Sequence, residues 1–345
     1  MLDKQIKQLK ENPWPYVMGI VLAVIVAFVI GLGLMGDNKG YAVHGYRLIE
    51  VKPGMTTADI ANMLHEKELV KHPDAFRMEA RFKGLATKLQ AGMYQIEGGM
   101  SNAQIVEVLA SGNIEFVNFT VPEGYTVLKT AHKLEAEGLG SAAKFIEAAK
   151  NYAPYSYMQT DDPNVIFKAE GFIYPATYDF PLGYSEAQML AVMVKQFDLE
   201  AQHSGVAAEA AKQGKALRDV VNIAAMVEQE AVFADEQPRI AGVFLKRLEI
   251  GMPIQSDTTI QYILGAQKEV ITYKDTEIQN PYNTYQNMGL PPGPIASPSL
   301  NALKAVLAPE NHDYLYFVAE KDGHHRFTKT YAEHLQAIHD IDEGR

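Results

Sequence analysis

The sequence predicts an α+β fold in three parts: an N-terminal transmembrane helix, a small α+β unit and a larger mixed α+β unit. Three observations carry this. An uncharged run of 21 residues, Tyr16–Gly36, stands near the N-terminus. Strand-like and helix-like patterns then alternate through residues 46–118. Beyond 119, long helical periods mix with short strand-like segments and a polar, proline-rich stretch.

The run YVMGIVLAVIVAFVIGLGLMG, wound as a helix, spans about 30 Å, the thickness of a bilayer's hydrocarbon core. Lys4, Lys7 and Lys10 precede it, and Asp37 and Lys39 follow. The positive-inside rule puts residues 1–15 in the cytoplasm and everything after about 37 outside. Trp14 and Tyr16 sit at the level of an interfacial aromatic belt. A cleaved signal peptide has a shorter apolar stretch and a small-residue cleavage site, and Gly31-Leu32-Gly33-Leu34-Met35 offers none. The expectation is an uncleaved single-pass anchor in the cytoplasmic (inner) membrane, with the globular part extracytoplasmic. One apolar segment excludes transport by a monomer.

Within 46–118, Tyr46–Val51 alternates as a strand and Pro53-Gly54-Met55 is a turn. Thr57 is the expected N-cap of a helix carrying Ile60, Ala61 and Leu64. Pro73–Phe82 is a second helix, and Gly92–Ile96 a second strand. Ser101 caps a third helix with Ile105, Val106, Val108 and Leu109, which Ser111-Gly112 ends. Next, 115–121 reads as a strand, Thr126 starts helix that continues to about 151, and 169–178 is an aromatic-rich loop. Ser185–His203, Lys215–Val232 and Pro238–Glu249 read as helices, the last with proline in its first turn. Residues 252–300 read as polar and turn-rich, and a polar loop of about 40 residues without regular structure is itself a hint of function. Leu300–Leu307 is helical, Tyr314–Val318 a strand and Arg326–Thr328 its hairpin partner.

Composition narrows the chemistry. Hydrophobic residues make up 47% and charged residues 21% of the 345, which excludes a disordered chain. No cysteine is present, so disulfides, thiolate metal sites and cysteine nucleophiles are excluded. A net charge of −11 argues against nucleic acid as a partner. His324-His325 are adjacent and no histidine spacing suits a metal, so neither metal nor cofactor is expected.

The helix DVVNIAAMVEQEAV, 219–232, is apolar almost all round, as a buried helix is. Glu228 and Glu230 interrupt it. Burial raises a carboxyl pKa, and a raised pKa suits a general acid. At 100° per residue the two point about 160° apart, so they cannot flank one bond. One can face a cleft while the other holds a structural partner such as an arginine; spacing alone also allows both to be structural. Downstream, Gln255-Ser256-Asp257-Thr258-Thr259 and Asn280-Pro281-Tyr282-Asn283-Thr284-Tyr285 offer the hydrogen bonds and flat rings that hold a sugar.

The strand, turn, helix, helix, strand order of 46–118 resembles a LysM-like glycan-binding module. The longer series of blocks resembles the endolytic murein transglycosylases, the YceG-like family. It comprises Glu123-Gly124, Glu170-Gly171-Phe172, Pro175–Tyr178, Ala225–Glu230, Val243–Leu248, Gly251-Met252, Gln255-Ser256-Asp257, Tyr282–Tyr285, Gly289–Ile295 and Leu315–Val318. Thr258 stands where many members have proline, and Ala176 where some have aspartate. The resemblance implies a cytoplasmic tail at 1–15, the anchor at 16–36, a LysM-like subdomain at 46–118 and a catalytic domain at 119–340. It implies a lyase that cuts the β-1,4 bond between N-acetylmuramic acid and N-acetylglucosamine inside nascent peptidoglycan strands, leaving a 1,6-anhydro end. Such an enzyme terminates glycan elongation beside peptidoglycan synthases. Its catalytic residue is the second glutamate of the Glu-x-Glu block, Glu230, with Glu228 the alternative. Gln255, Ser256, Asp257, Asn283 and Tyr285 are the expected substrate-binding residues. A non-catalytic peptidoglycan-binding scaffold and a water-using muramidase are the competing readings.

Overall fold

The computed structural model describes residues 46–112, 116–266, 268 and 270–344 and, ahead of them, Trp14, Met18, Gly19, Val21 and Leu22. Most of the predicted membrane run lies outside the described residues. Among the described residues no helix is long and apolar enough to cross a membrane. The chain divides into two units. One ends at Val117 and includes Pro181–Gly183; the other holds Asn118–Phe180 and Tyr184 onward.

The first unit runs β1 (Tyr46–Val51), α1 (Thr57–Glu66), α2 (Pro73–Phe82), β2 (Gly92–Glu97) and α3 (Asn102–Ser111). β1 and β2 pair antiparallel, from Tyr46 opposite Glu97 to Val51 opposite Gly92. Alternation turns Ile49, Val51, Tyr94 and Ile96 inward. There they meet Ile60, Leu64, Phe76, Ala80, Ile105 and Leu109 from the helices. The N-cap of α1 is Thr56, not Thr57. Both threonines have a suitable hydroxyl, but only Thr56 has an acid three residues on, and Asp59 completes a capping box with it. The Thr57 hydroxyl donates instead to the Ala86 carbonyl at 2.7 Å.

β3 (Phe116–Thr120) carries the chain from the first unit into the second, which continues with α4 (Val127–Ala136) and α5 (Ala142–Asn151). β3 pairs with β4 (Thr177–Pro181), a strand that begins at the last two residues of the expected 169–178 loop. Then come α6 (Glu186–His203), α7 (Val206–Lys212), α8 (Leu217–Glu230), α9 (Gln237–Glu249), α10 (Asp257–Leu264), α11 (Tyr273–Thr276) and α12 (Leu300–Leu307). The hairpin β5 (Tyr316–Ala319) and β6 (His325–Thr328) and the helix α13 (Tyr331–Asp342) complete it. α8 is the axis of this unit, packed by α7, α9, α10 and α12. Val220 to Val227 are buried without a break, as an all-round apolar helix requires.

Two further expectations need correction. The 252–300 stretch contains the helix α10, and the short α11 besides. The helix expected to reach Val232 stops at Glu230, because Ala231 turns to extended backbone, φ −80°, ψ 118°.

Two glycines explain why separated motifs meet. Gly171 has φ +83°, and a Cβ there would lie 2.4 Å from Cβ of Pro294 and 2.9 Å from Val221. Gly124 has φ +69°, and a Cβ there would lie 2.7 Å from the Gln229 amide, whose Nε2 donates to the Gly124 carbonyl at 2.8 Å. A side chain at either position would collide and strain the backbone. The glycines thus let the 122–125, 170–172 and 289–295 segments close on α8.

Candidate active site

Glu228 and Glu230, at the end of α8, have different surroundings. Glu228 Oε2 accepts the backbone N–H of Ser299 at 3.0 Å and its hydroxyl at 2.6 Å. Ser299 is the N-cap of α12, so this carboxylate sits where a helix terminus favours negative charge. The structural partner is therefore a helix N-terminus and not an arginine.

Glu230 faces α10. Its Oε1 accepts the Ser256 hydroxyl at 2.5 Å. Burial pushes its carboxyl above the ordinary carboxylate range; the charge of Asp257 adds to that, while Ser256, the Thr258 backbone N–H and His325 oppose it. A half-buried acid with a raised pKa and a fixed hydroxyl partner can give a proton and take one back.

Ser256 is itself fixed. It is 2% exposed, and its N–H donates to Oγ1 of Thr284 at 3.0 Å. That oxygen also lies 3.0 Å from the Thr259 hydroxyl. Just before it, Gln255 adopts φ +50°, a left-handed backbone that few non-glycine residues take. Its N–H donates to the Thr284 carbonyl at 3.1 Å, so the turn is tied down where it delivers Ser256. Asp257, the first residue of α10, accepts the Tyr285 hydroxyl at 2.6 Å. Burial and this carboxylate push the Tyr285 phenol up.

Glu230, Ser256, Asp257 and Tyr285 are thus brought together, with Gln255 exposed at their edge. Asn283 stands behind them. It is fully buried, its amide donates to the carbonyls of Thr276 and Ile278, and its Oδ1 accepts the Tyr285 N–H. Both amide hydrogens and one lone pair of Oδ1 hold the loop, so in this arrangement Asn283 positions Tyr285 from behind.

Three residues were missed. Arg247 of α9 is buried, donates to the carbonyls of Leu315 and Ile254, and lies within charge range of Glu230 and Tyr285. A lone arginine among Val243, Phe244 and Leu248 was the available signal. His325 lies within charge range of Glu230, and its Nδ1 is 2.9 Å from Glu236 Oε2. Glu170 is buried, with its carboxyl pushed up to about 8. It accepts the Val127 N–H at 2.9 Å and the Tyr262 hydroxyl at 3.2 Å, joining the start of α4 to the far end of α10. Nothing in the spacing of His325, Glu236 or Glu170 announced these pairings.

Residues 49–340 match the YceG-like family. The chain is similar to an endolytic murein transglycosylase of Bacillus subtilis strain 168, 33% identical over 303 residues that cover 84% of this chain and 83% of that one. A protein of the same description from Streptococcus pneumoniae strain D39 is 29% identical over 344 residues, covering 87% of this chain and 61% of the relative. Among solved structures, a YceG-like protein of Listeria monocytogenes superposes with a TM-score of 0.60 at 30% identity, over 86% of this chain and 100% of that one. The matches span both units and every block that meets around Glu230, and the chain belongs to the YceG-like family.

Proposed function

We propose that the chain is a lytic transglycosylase of peptidoglycan in which Glu230 is the acid and base. The observation that carries this is the half-buried Glu230 carboxyl, raised in pKa and held by Ser256. Protonated Glu230 gives its proton to the glycosidic oxygen as the C1–O bond breaks. The departing N-acetylglucosamine takes that oxygen as a hydroxyl. The 6-hydroxyl of the N-acetylmuramic acid then attacks C1, and its proton returns to Glu230. A 1,6-anhydro end forms, and no water is consumed. Asp257 steadies the positive charge that builds on the sugar, held in place by Tyr285.

The membrane is the proposed setting. The uncharged 16–36 run, with lysines before it, supports a single-pass anchor in the cytoplasmic membrane and an extracytoplasmic catalytic part. The β1–α1–α2–β2 order supports a LysM-like role for the first unit in holding glycan strands. An anchored enzyme that cuts strands internally would act on nascent glycan beside the synthases and terminate its elongation. A second reading, hydrolysis by water, is favoured by the presence of Asp257 beside Glu230, since hydrolytic glycosidases use two carboxylates.

The test is the full chain in detergent incubated with uncrosslinked glycan strands. Shortened strands with anhydro ends are expected. Ends one water heavier would establish the hydrolase. Intact strands retained on the protein would establish the scaffold.

A further inference from the structure

The backbone leaves α8 directly after Glu230, and the next residues form an open lip. Val232 is 70% exposed. The ring of Phe233 stacks on that of His324, with centroids 4.1 Å apart and planes 17° from parallel. His324 precedes β6, and its side chain stays 48% exposed. A Cβ on Gly323 would lie 3.5 Å from the Phe233 ring and 3.6 Å from Val232, so the hairpin turn rests against both.

Buried Glu236 locks this contact. Its Oε1 accepts the His325 N–H at 2.9 Å and lies 3.5 Å from His324 Nδ1, while its Oε2 lies 2.9 Å from His325 Nδ1. One carboxylate thus holds two successive histidines, of which His325 is turned in and His324 out. The histidines draw the Glu236 carboxyl below its ordinary range against the opposing effect of burial.

A single exposed valine is ordinary. An aromatic stack left half open, fixed by a buried carboxylate and three residues from Glu230, is a shaped surface. Pyranose rings carry hydroxyls at their edges and C–H groups on their faces, and those faces pack on flat rings. The methyl of an N-acetyl group suits a neighbouring valine.

We propose that Val232, Phe233 and His324 form a sugar-binding lip that seats an N-acetylhexosamine of the strand beside the bond Glu230 protonates. This rests on the reading of the chain as a glycan-cleaving enzyme. The stack contributes affinity and register, and Glu236 sets its geometry.

The test is steady-state cleavage of uncrosslinked strands of defined length by the full chain in detergent. Phe233→Ala and His324→Ala are each expected to lower kcat/KM about 3- to 10-fold, chiefly through KM, the size of one lost aromatic stack. Phe233→Trp and His324→Tyr are expected to restore it. Melting curves accompany each variant. Should Phe233→Ala lose its fold, the exposed His324→Ala decides the question. Unchanged kcat/KM in the alanine variants would overturn the proposal, as would a loss that an aromatic replacement leaves unrepaired. A wild-type chain that cleaves no strand would overturn the enzyme reading, and the lip with it.

Discussion

The hydroxyl of Ser256 donates to Oε1 of Glu230 at 2.5 Å, across 26 positions of sequence. It joins the last residue of α8 to the residue that precedes α10. Ser256→Ala frees the carboxyl to rotate. A hydrogen bond to a charged group contributes about 1.5–3 kcal/mol, so kcat should fall about 10- to 100-fold. Ser256 also holds the Glu230 pKa down, so the alkaline limb of the rate profile should move to higher pH. Ser256→Thr should recover most of the loss. A profile unmoved in height and position would count against the contact.

Glu228 gives the opposite expectation. Its carboxylate satisfies the Ser299 N–H and hydroxyl at the start of α12. Glu228→Ala leaves the Ser299 N–H and hydroxyl without their acceptor and should cost about 1–3 kcal/mol of stability. Turnover per folded molecule should stay near wild type. A variant that melts normally and cleaves nothing would move the chemistry to Glu228.

Glu170 predicts a pH dependence of stability. Burial raises its carboxyl from 4.5 to about 8, so the folded protein holds that proton more tightly than the unfolded chain. The resulting stability is complete below about 4.5 and is lost as pH rises towards 8. Glu170→Gln cannot ionise. Chemical denaturation at pH 5 and pH 8 should show a smaller fall in stability for the variant than for wild type. Equal slopes would remove Glu170 from the account.

For the anchor, the chain in its native membrane is the sample. An external protease should reach a tag placed after Gly36 and spare one placed before Pro13. Reversed access, or release of a soluble form, would contradict the 16–36 reading.

Much of the architecture was legible because local chemistry decided it. Ser101, Thr126, Ser185 and Ser299 cap helices through their own hydroxyls. Pro73 to Phe82 is bounded by a proline at its start. The all-round apolar character of α8 announced its burial, and its two glutamates stood out for that reason. What was illegible depends on distant partners. α10 begins at Asp257 because Thr284 and Glu230 hold Ser256 and because Tyr262 reaches Glu170, contacts no window of sequence displays. Asn283 looked like a sugar-binding amide, and the carbonyls that occupy it lie on the fold of its own loop. Asp257 was an expected site residue, but the turn at Gln255 that precedes it has a left-handed backbone that no glycine signalled.

The central claim is that Glu230 alone exchanges the proton while the sugar's own hydroxyl displaces the bond. Mass spectrometry of the strand ends made by wild type and by Glu230→Gln, under identical conditions and with matched melting curves, tests it most directly. General acid–base groups contribute about 10²–10⁴-fold, so the account predicts anhydro ends from wild type and a loss of at least that size in the folded variant. Ends that carry an added water, or anhydro ends formed by Glu230→Gln at the wild-type rate, would contradict it.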